Sequence, residues 1–167
     1  PGDVFLGLDF ALDTIRYHES QLGEFKKKGG EIWFVMYDLL PALRPEWFSE
    51  LLAVRFQKWL RVTASLADGY YCISSPVESD LRHMLFERYG LRDGFSTHII
   101  PMGWDIDNSH VDLRTADAVK VINPKIQEVR SVLMVGTIEP RKGHRDVLDA
   151  FERLWQRNFE CNLVIVG

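Results

Sequence analysis

The sequence predicts an α/β protein built on parallel sheet, and three observations carry that reading. Short apolar runs alternate with amphipathic stretches of helical length. The run EIWFVMYD (31–38) is continuously apolar, as expected of a strand covered on both faces in a parallel sheet. Two runs that end in Val-Gly, SVLMVG (131–136) and NLVIVG (162–167), bracket one helix and so make a right-handed crossover unit.

The elements follow in order. DVFLGLD (3–9) is a short apolar strand ending in an acid. Residues 14–28 form a helix that closes in Lys26-Lys27-Lys28, which suit the negative helix end, and Gly29-Gly30 stop it. EIWFVMYD is the next strand, with Pro41 and Pro45 punctuating the loop behind it. A long helix then starts at Pro45, with proline at its first position and Glu46 beside it. Its stripe of Phe48, Leu52, Phe56, Trp59 and Leu66 is read as core, a membrane-facing surface being the competing reading.

YYCIS (70–74) is a strand, and Ser75-Pro76-Val77-Glu78 reads as a capping box with Ser75 as the cap. Val77, Leu81, Met84, Leu85 and Tyr89 line the buried face of the helix that Gly90 ends. STHIIPMG (96–103) is another strand. Residues 104–130 break the rhythm: they are polar, lack a clean period and contain Asn123-Pro124, the marks of an interdomain linker. The rhythm resumes with strand 131–136, helix 143–157 and strand 162–167. The segment 131–167 is below the size at which a domain buries enough surface to stand alone. The expectation is a piece of something longer, carrying the back of one α/β domain and the front of another.

The totals narrow the class. The chain has 167 residues, 46% hydrophobic and 26% charged, close to the average for soluble proteins. A net charge of −4 argues against a nucleic-acid binder. No run reaches the roughly 18 apolar residues that span a bilayer, and no signal-peptide pattern opens the chain. Cys72 and Cys161 lie in or beside apolar runs and read as buried, reduced thiols. The five histidines are scattered without ligand spacing, so no metal is expected. A soluble, cytoplasmic protein is the expectation.

One stretch is oddly charged. In GTIEPRKGHRD (136–146), Arg141, Lys142, His144 and Arg145 crowd a helix start, where the dipole is already positive. Two or three cations there would cost on the order of 1–2 kcal/mol unless acids offset them. A bound anion reverses the sign: helix amides, dipole and cations would then converge on a phosphate. Gly136 and Gly143 permit close backbone approach. The competing reading is a solvated turn balanced by Glu139, Asp146 and Asp149. Neither a Walker pattern nor GxGxxG is present in the loop.

VGTIEPRKGHRDVLDAFERLW resembles the opening of the C-terminal domain in family 4 (group 1) retaining glycosyltransferases. FVMYDLLPALRPEWF, ADGYYCISSPVESDLRHML and IIPMGWDIDNS resemble three further segments of that family, in register, so the likeness spans essentially the whole chain. It implies a Rossmann-like GT-B architecture in partial form. Residues 1–103 would be the C-terminal part of the acceptor-side domain, 104–130 the linker, and 131–167 the first βαβ unit of the nucleotide-sugar domain. The implied activity is transfer of a sugar from an NDP-sugar to a glycan or lipid-linked acceptor with retention, without a bound metal or other cofactor. The implied pathway is bacterial surface polysaccharide assembly, with a lipid-linked acceptor bringing the protein to the inner face of the membrane.

By the same resemblance Lys142, and with it Arg141, would contact the donor diphosphate, while Gly136, Thr137 and Gly143 shape the loop. Asp38 and Tyr37 are the acceptor-side candidates, Tyr37 standing where many relatives have histidine. Arg44 reads as a surface arginine, and Gly103 and Asp105 lie where the two domains should meet. By the same resemblance the family's glycine-rich acceptor loop, near its N-terminus, and its downstream Glu-x7-Glu motif fall outside these residues, so the chain is expected to be inactive alone. Two other classes stay open: a non-catalytic scaffold or partner-binding module derived from such an enzyme, and another α/β enzyme that handles phosphorylated ligands.

Overall fold

The computed structural model describes residues 2–103 and 129–167, which fall into two compact units. The expected linker, apart from Val129 and Arg130, lies outside the described residues, as do Asp105 and His110.

The first unit runs β1 (Val4–Gly7), α1 (Leu12–Tyr17), α2 (Glu19–Lys27), β2 (Glu31–Met36), α3 (Leu40–Leu43), a 3-10 turn (Pro45–Trp47), α4 (Glu50–Leu66), β3 (Gly69–Cys72), α5 (Ser75–Tyr89) and β4 (Ser96–Ile99). The four strands make one sheet in the order β1-β2-β3-β4, every pair parallel. The α/β reading with a parallel sheet therefore holds. Each crossover steps one strand in the same direction, so a single handedness sends all the helices to one face. The core obeys this. Ile32, Phe34 and Met36 of β2 and Tyr70 and Cys72 of β3 are buried together with Ile15, Leu22, Phe56, Trp59, Leu60, Leu81 and Leu85 of the helices. Phe10 locks the centre, its ring edge-on to Phe56 at 5.4 Å and to Trp59 at 5.1 Å.

The amino-terminal edge of the sheet is clamped by Asp68. One carboxylate oxygen meets Lys26 Nζ at 3.0 Å and the other accepts from the Ile32 amide at 2.8 Å. This joins the end of α2, the start of β2 and the entry to β3. The lysine run at the end of α2 thus has a tertiary task as well as a favourable place on the helix dipole.

Several boundaries differ from those read in the sequence. The helix expected over 14–28 is two helices that meet at His18, which is C-cap to one and N-cap to the next. Pro45 opens a 3-10 turn and not the long helix, which starts five residues later with the Ser49 hydroxyl accepting from the Leu52 amide at 3.3 Å. Ser75 is not the cap of α5. Ser74 holds the extended cap conformation and accepts from the Val77 amide, and Ser75 is the first helical residue. No capping box forms, because with Ser74 as the cap the third helical residue is Val77; the Glu78 carboxylate instead accepts from the Thr97 hydroxyl and the Arg82 guanidinium, which hold it below the usual glutamate range.

The cover of β2 is uneven. On the face that Trp33 and Val35 share with Val4, Leu6, Tyr71 and His98, Val35 is buried, Trp33 and Tyr71 are half-buried, and Val4, Leu6 and His98 are exposed, all of them outside the helix–sheet cluster on the other face.

The second unit runs β5 (Ser131–Val135), a 3-10 turn (Pro140–Lys142), α6 (His144–Gln156) and β6 (Asn162–Val166). β5 and β6 pair in parallel from Ser131↔Asn162 to Val135↔Val166, as the matching Val-Gly ends lead one to expect. Phe151 is buried, and the Trp155 indole donates to the Cys161 carbonyl at 2.8 Å, fixing the end of α6 to the start of β6. Both cysteines are free and buried.

Candidate functional site: a cationic turn at a strand end

The turn between β5 and α6 needs a backbone that few residues can adopt. Gly136 leaves the strand at φ +150° while its amide still donates to the Val166 carbonyl at 2.8 Å. Seven residues later Gly143 takes φ +71°, the left-handed region, and becomes the N-cap of α6. Glycine is the natural occupant of both places. As N-cap it offers no side chain to the helix, so no side chain caps the first-turn amides.

Between the glycines the cations are not arranged as the sequence suggested. Arg141 and Lys142 belong to the 3-10 turn that precedes the helix, and only His144 and Arg145 stand in the first turn of α6. The reason is the left-handed Gly143, which separates the two segments. Arg141 is already paired, its Nε 2.6 Å from Glu139 Oε2. Part of the expected repulsion is thereby cancelled, as in the solvated-turn reading. Lys142 has no ion pair among the described residues, and its stem passes over Gly136, with Cδ 4.0 Å from where a β-carbon on that glycine would stand. Thr137, exposed, follows directly. The open amides of α6, the free ammonium of Lys142 and the bared backbone of Gly136 thus gather at the carboxyl end of β5, where open α/β sheets take their ligands. Such a set can bind a phosphate.

Sequence reasoning missed the state of His144. Its ring is buried, 6% exposed, and neither nitrogen has a hydrogen-bond partner among the described residues. Its place among the cations suggests one more charge near a phosphate, but its burial puts it beneath the surface of the turn. The only signal available was its position as the first residue of an amphipathic helix.

The acceptor-side candidates lie on the first unit, at the carboxyl ends of β1 and β2. The Tyr37 hydroxyl donates to the Leu8 carbonyl at 2.8 Å, and its ring stands edge-on to Phe10 at 5.7 Å. Tyr37 therefore ties the exits of two neighbouring strands together. Asp38 Oδ1 accepts from the Leu40 amide at 2.9 Å, the turn-forming bond ahead of Pro41, and leaves Oδ2 free among the described residues. Arg44 is exposed, 4.0 Å from Glu46 and stacked over Trp47, which fits a surface role. Gly103 ends the first unit with open space around it. Among the described residues no three His, Cys, Asp or Glu side chains gather as metal ligands would.

Three curated proteins align with 99% of this chain. All are Escherichia coli proteins described as serotype-specific mannosyltransferase WbdA, two of them 32% and one 31% identical over 168 aligned residues. The chain spans only about a fifth of their length (21%, 20% and 21%). No protein-family model matches the chain, and no solved structure matches it.

Proposed function

We propose that this chain is part of a glycosyltransferase, of GT-B architecture, that moves a hexosyl group from a nucleoside-diphosphate sugar to a glycan or lipid-linked acceptor with retention of configuration. The observation that carries the reading is the meeting of two independent lines at one place. The chain is similar end to end to proteins described as mannosyltransferases. The turn 136–146 also supplies a lysine unpaired among the described residues, open helix amides and a bared glycine, the components of a diphosphate site.

In this reading the sugar–phosphate bond breaks as negative charge grows on the leaving diphosphate. Lys142 and the amino end of α6 would stabilise that charge from the turn that the positive-φ Gly136 and Gly143 shape. Arg141 joins when the phosphate draws it from Glu139. Asp38, with one carboxylate oxygen free, is proposed to orient an acceptor hydroxyl, and Tyr37 to hold the strand exit beside it. Neither a metal nor another cofactor is part of this proposal. Transfer would take place in the cytoplasm, at the inner face of the membrane when the acceptor is lipid-linked. The rest of the longer polypeptide would complete the donor site.

The test is sugar transfer by the protein as encoded. GDP-mannose is the first donor to try, given the names of the relatives, followed by UDP-hexoses, with anomeric configuration of the product read by NMR. Transfer with retention that collapses in Lys142→Ala supports the reading. A protein that binds no sugar nucleotide and transfers nothing would refute it.

A further inference from the structure

We infer that Arg88 is a positioning residue for the acceptor side of the site. From the last turn of α5 it holds the one-turn helix α3, and through α3 it aims the free oxygen of Asp38. The inference rests on the role proposed above for Asp38 and concerns how that carboxylate is held.

α3 is too short to stand by itself. Its four residues are far fewer than the roughly 12–15 at which an isolated helix becomes marginal, and Pro41 brings no amide to it. Leu39, Pro41 and Ala42 are buried, but apolar packing has no direction and does not fix one turn of helix. Directional contacts do that, and they stand at its two ends. At the start, Asp38 Oδ1 accepts from the Leu40 amide at 2.9 Å. At the finish, the Leu40 carbonyl accepts from the Arg44 amide at 2.8 Å, while the Ala42 carbonyl meets no backbone amide among the described residues. Its partner is the guanidinium of Arg88, 46 residues further along the chain, whose Nη2 donates to it at 3.1 Å.

Arg88 is spent on this bond. It has no ion pair among the described residues, although it lies exposed in the last turn of α5. Its charge does not titrate away, and a guanidinium on a long stem can cap a carbonyl on another helix. α3 is therefore bracketed by two charged side chains, a carboxylate at its start and a cation at its finish. The bracket couples them. Asp38 Oδ1 and Oδ2 belong to one planar group, so the direction of the Leu40 amide sets where Oδ2 points. When Arg88 lets go, the turn frays, the Leu40 amide shifts and Oδ2 loses its aim. Arg88 itself touches neither donor nor acceptor in this account.

Two variants of the protein as encoded test this: Arg88→Met, which removes the donor and keeps most of the stem, and Arg88→Lys, which keeps a donor. In Arg88→Met, amide exchange should be about tenfold faster at Leu40, Leu43 and Arg44, and unchanged at Trp59 of α4. Arg88→Lys should restore most of that protection. In transfer assays, kcat/KM for the acceptor should fall about tenfold in Arg88→Met while KM for the sugar nucleotide does not change. Unchanged exchange at Leu40 would overturn the inference, and so would an acceptor kcat/KM that stays put despite faster exchange. Faster exchange at Leu40 and Trp59 alike, or equal losses toward donor and acceptor, would also overturn it, as marks of a residue that only stabilises the fold. The exchange measurement needs no activity. It decides the inference even for a protein that transfers nothing, a result that would refute the proposed function instead.

Discussion

The stem of Lys142 crosses Gly136, its Cδ 4.0 Å from where a β-carbon on that glycine would stand, and this pairing marks the cationic turn. Gly136 sits at φ +150°, which side chains rarely tolerate. Gly136→Ala should therefore cost about 1–3 kcal/mol in backbone strain. The added methyl would meet the lysine stem only at ordinary contact distance, so the lysine is displaced through the strained backbone and not by a clash. A thermal melt and a nucleotide-binding curve check the two effects separately: the melt falls, and affinity falls by more than the fraction unfolded explains.

Glu139 competes with any anion for Arg141, which it holds at 2.6 Å. Exposed ion pairs of this kind are worth roughly 0.2–1 kcal/mol. Glu139→Gln should leave stability nearly unchanged and tighten nucleoside diphosphate binding up to about fivefold, which is that energy expressed as affinity. Calorimetric titration of both proteins at one salt concentration reads the difference. Weaker binding in the variant would mean that Arg141 needs Glu139 to be held in place.

The cap of α5 separates two neighbouring serines. Ser74→Ala should destabilise by about 0.5–1 kcal/mol, since the hydroxyl accepts from the Val77 amide at a long 3.5 Å. Ser75→Ala should cost nothing measurable, because Ser75 is already helical. Denaturant melts of the two variants check the order, and a reversed order would restore the capping box.

Cys72 should be inert in the folded protein. Burial, with Glu78 nearby as a lesser cause, pushes its thiol up to about 11. The thiolate is the reactive form, so alkylation at pH 8 should be slow until the chain unfolds. The linkage has a definite sign. The folded value lies above the unfolded value of about 8.5, so stability is full below pH 8.5 and falls as pH rises toward 11. Mass spectrometry after timed alkylation, repeated across that pH range, gives both readings.

Most strands were legible because they are apolar runs bounded by glycine, proline or an acid (β4, Ser-Thr-His-Ile, is the polar exception), and the parallel pairing of β5 with β6 followed from their matching ends. Helix starts were less so. Ser74 and Ser75 are chemically equivalent in sequence, and only the backbone decides which accepts the amide. Pro45 satisfies a first helical position, yet Ser49 four residues later supplies a hydroxyl that Pro45 lacks. At the cationic turn the residues were legible and their partners were not. The Glu139–Arg141 pair spans two residues in a 3-10 turn, a spacing that helix rules do not recognise, and the burial of His144 depends on how α6 docks. The uneven cover of β2 could not be read at all, since a continuous apolar strand looks the same whether one face or both are covered.

The central claim is that Lys142 and the amino end of α6 hold a donor diphosphate. Its most direct test is a titration of the isotopically labelled protein with GDP and UDP, followed by amide NMR. The expected result is saturable shifts confined to about residues 136–146 that vanish in Lys142→Ala while the rest of the spectrum stays in place. A well-dispersed spectrum that does not move at saturating nucleotide, or shifts that survive Lys142→Ala unchanged, would contradict it.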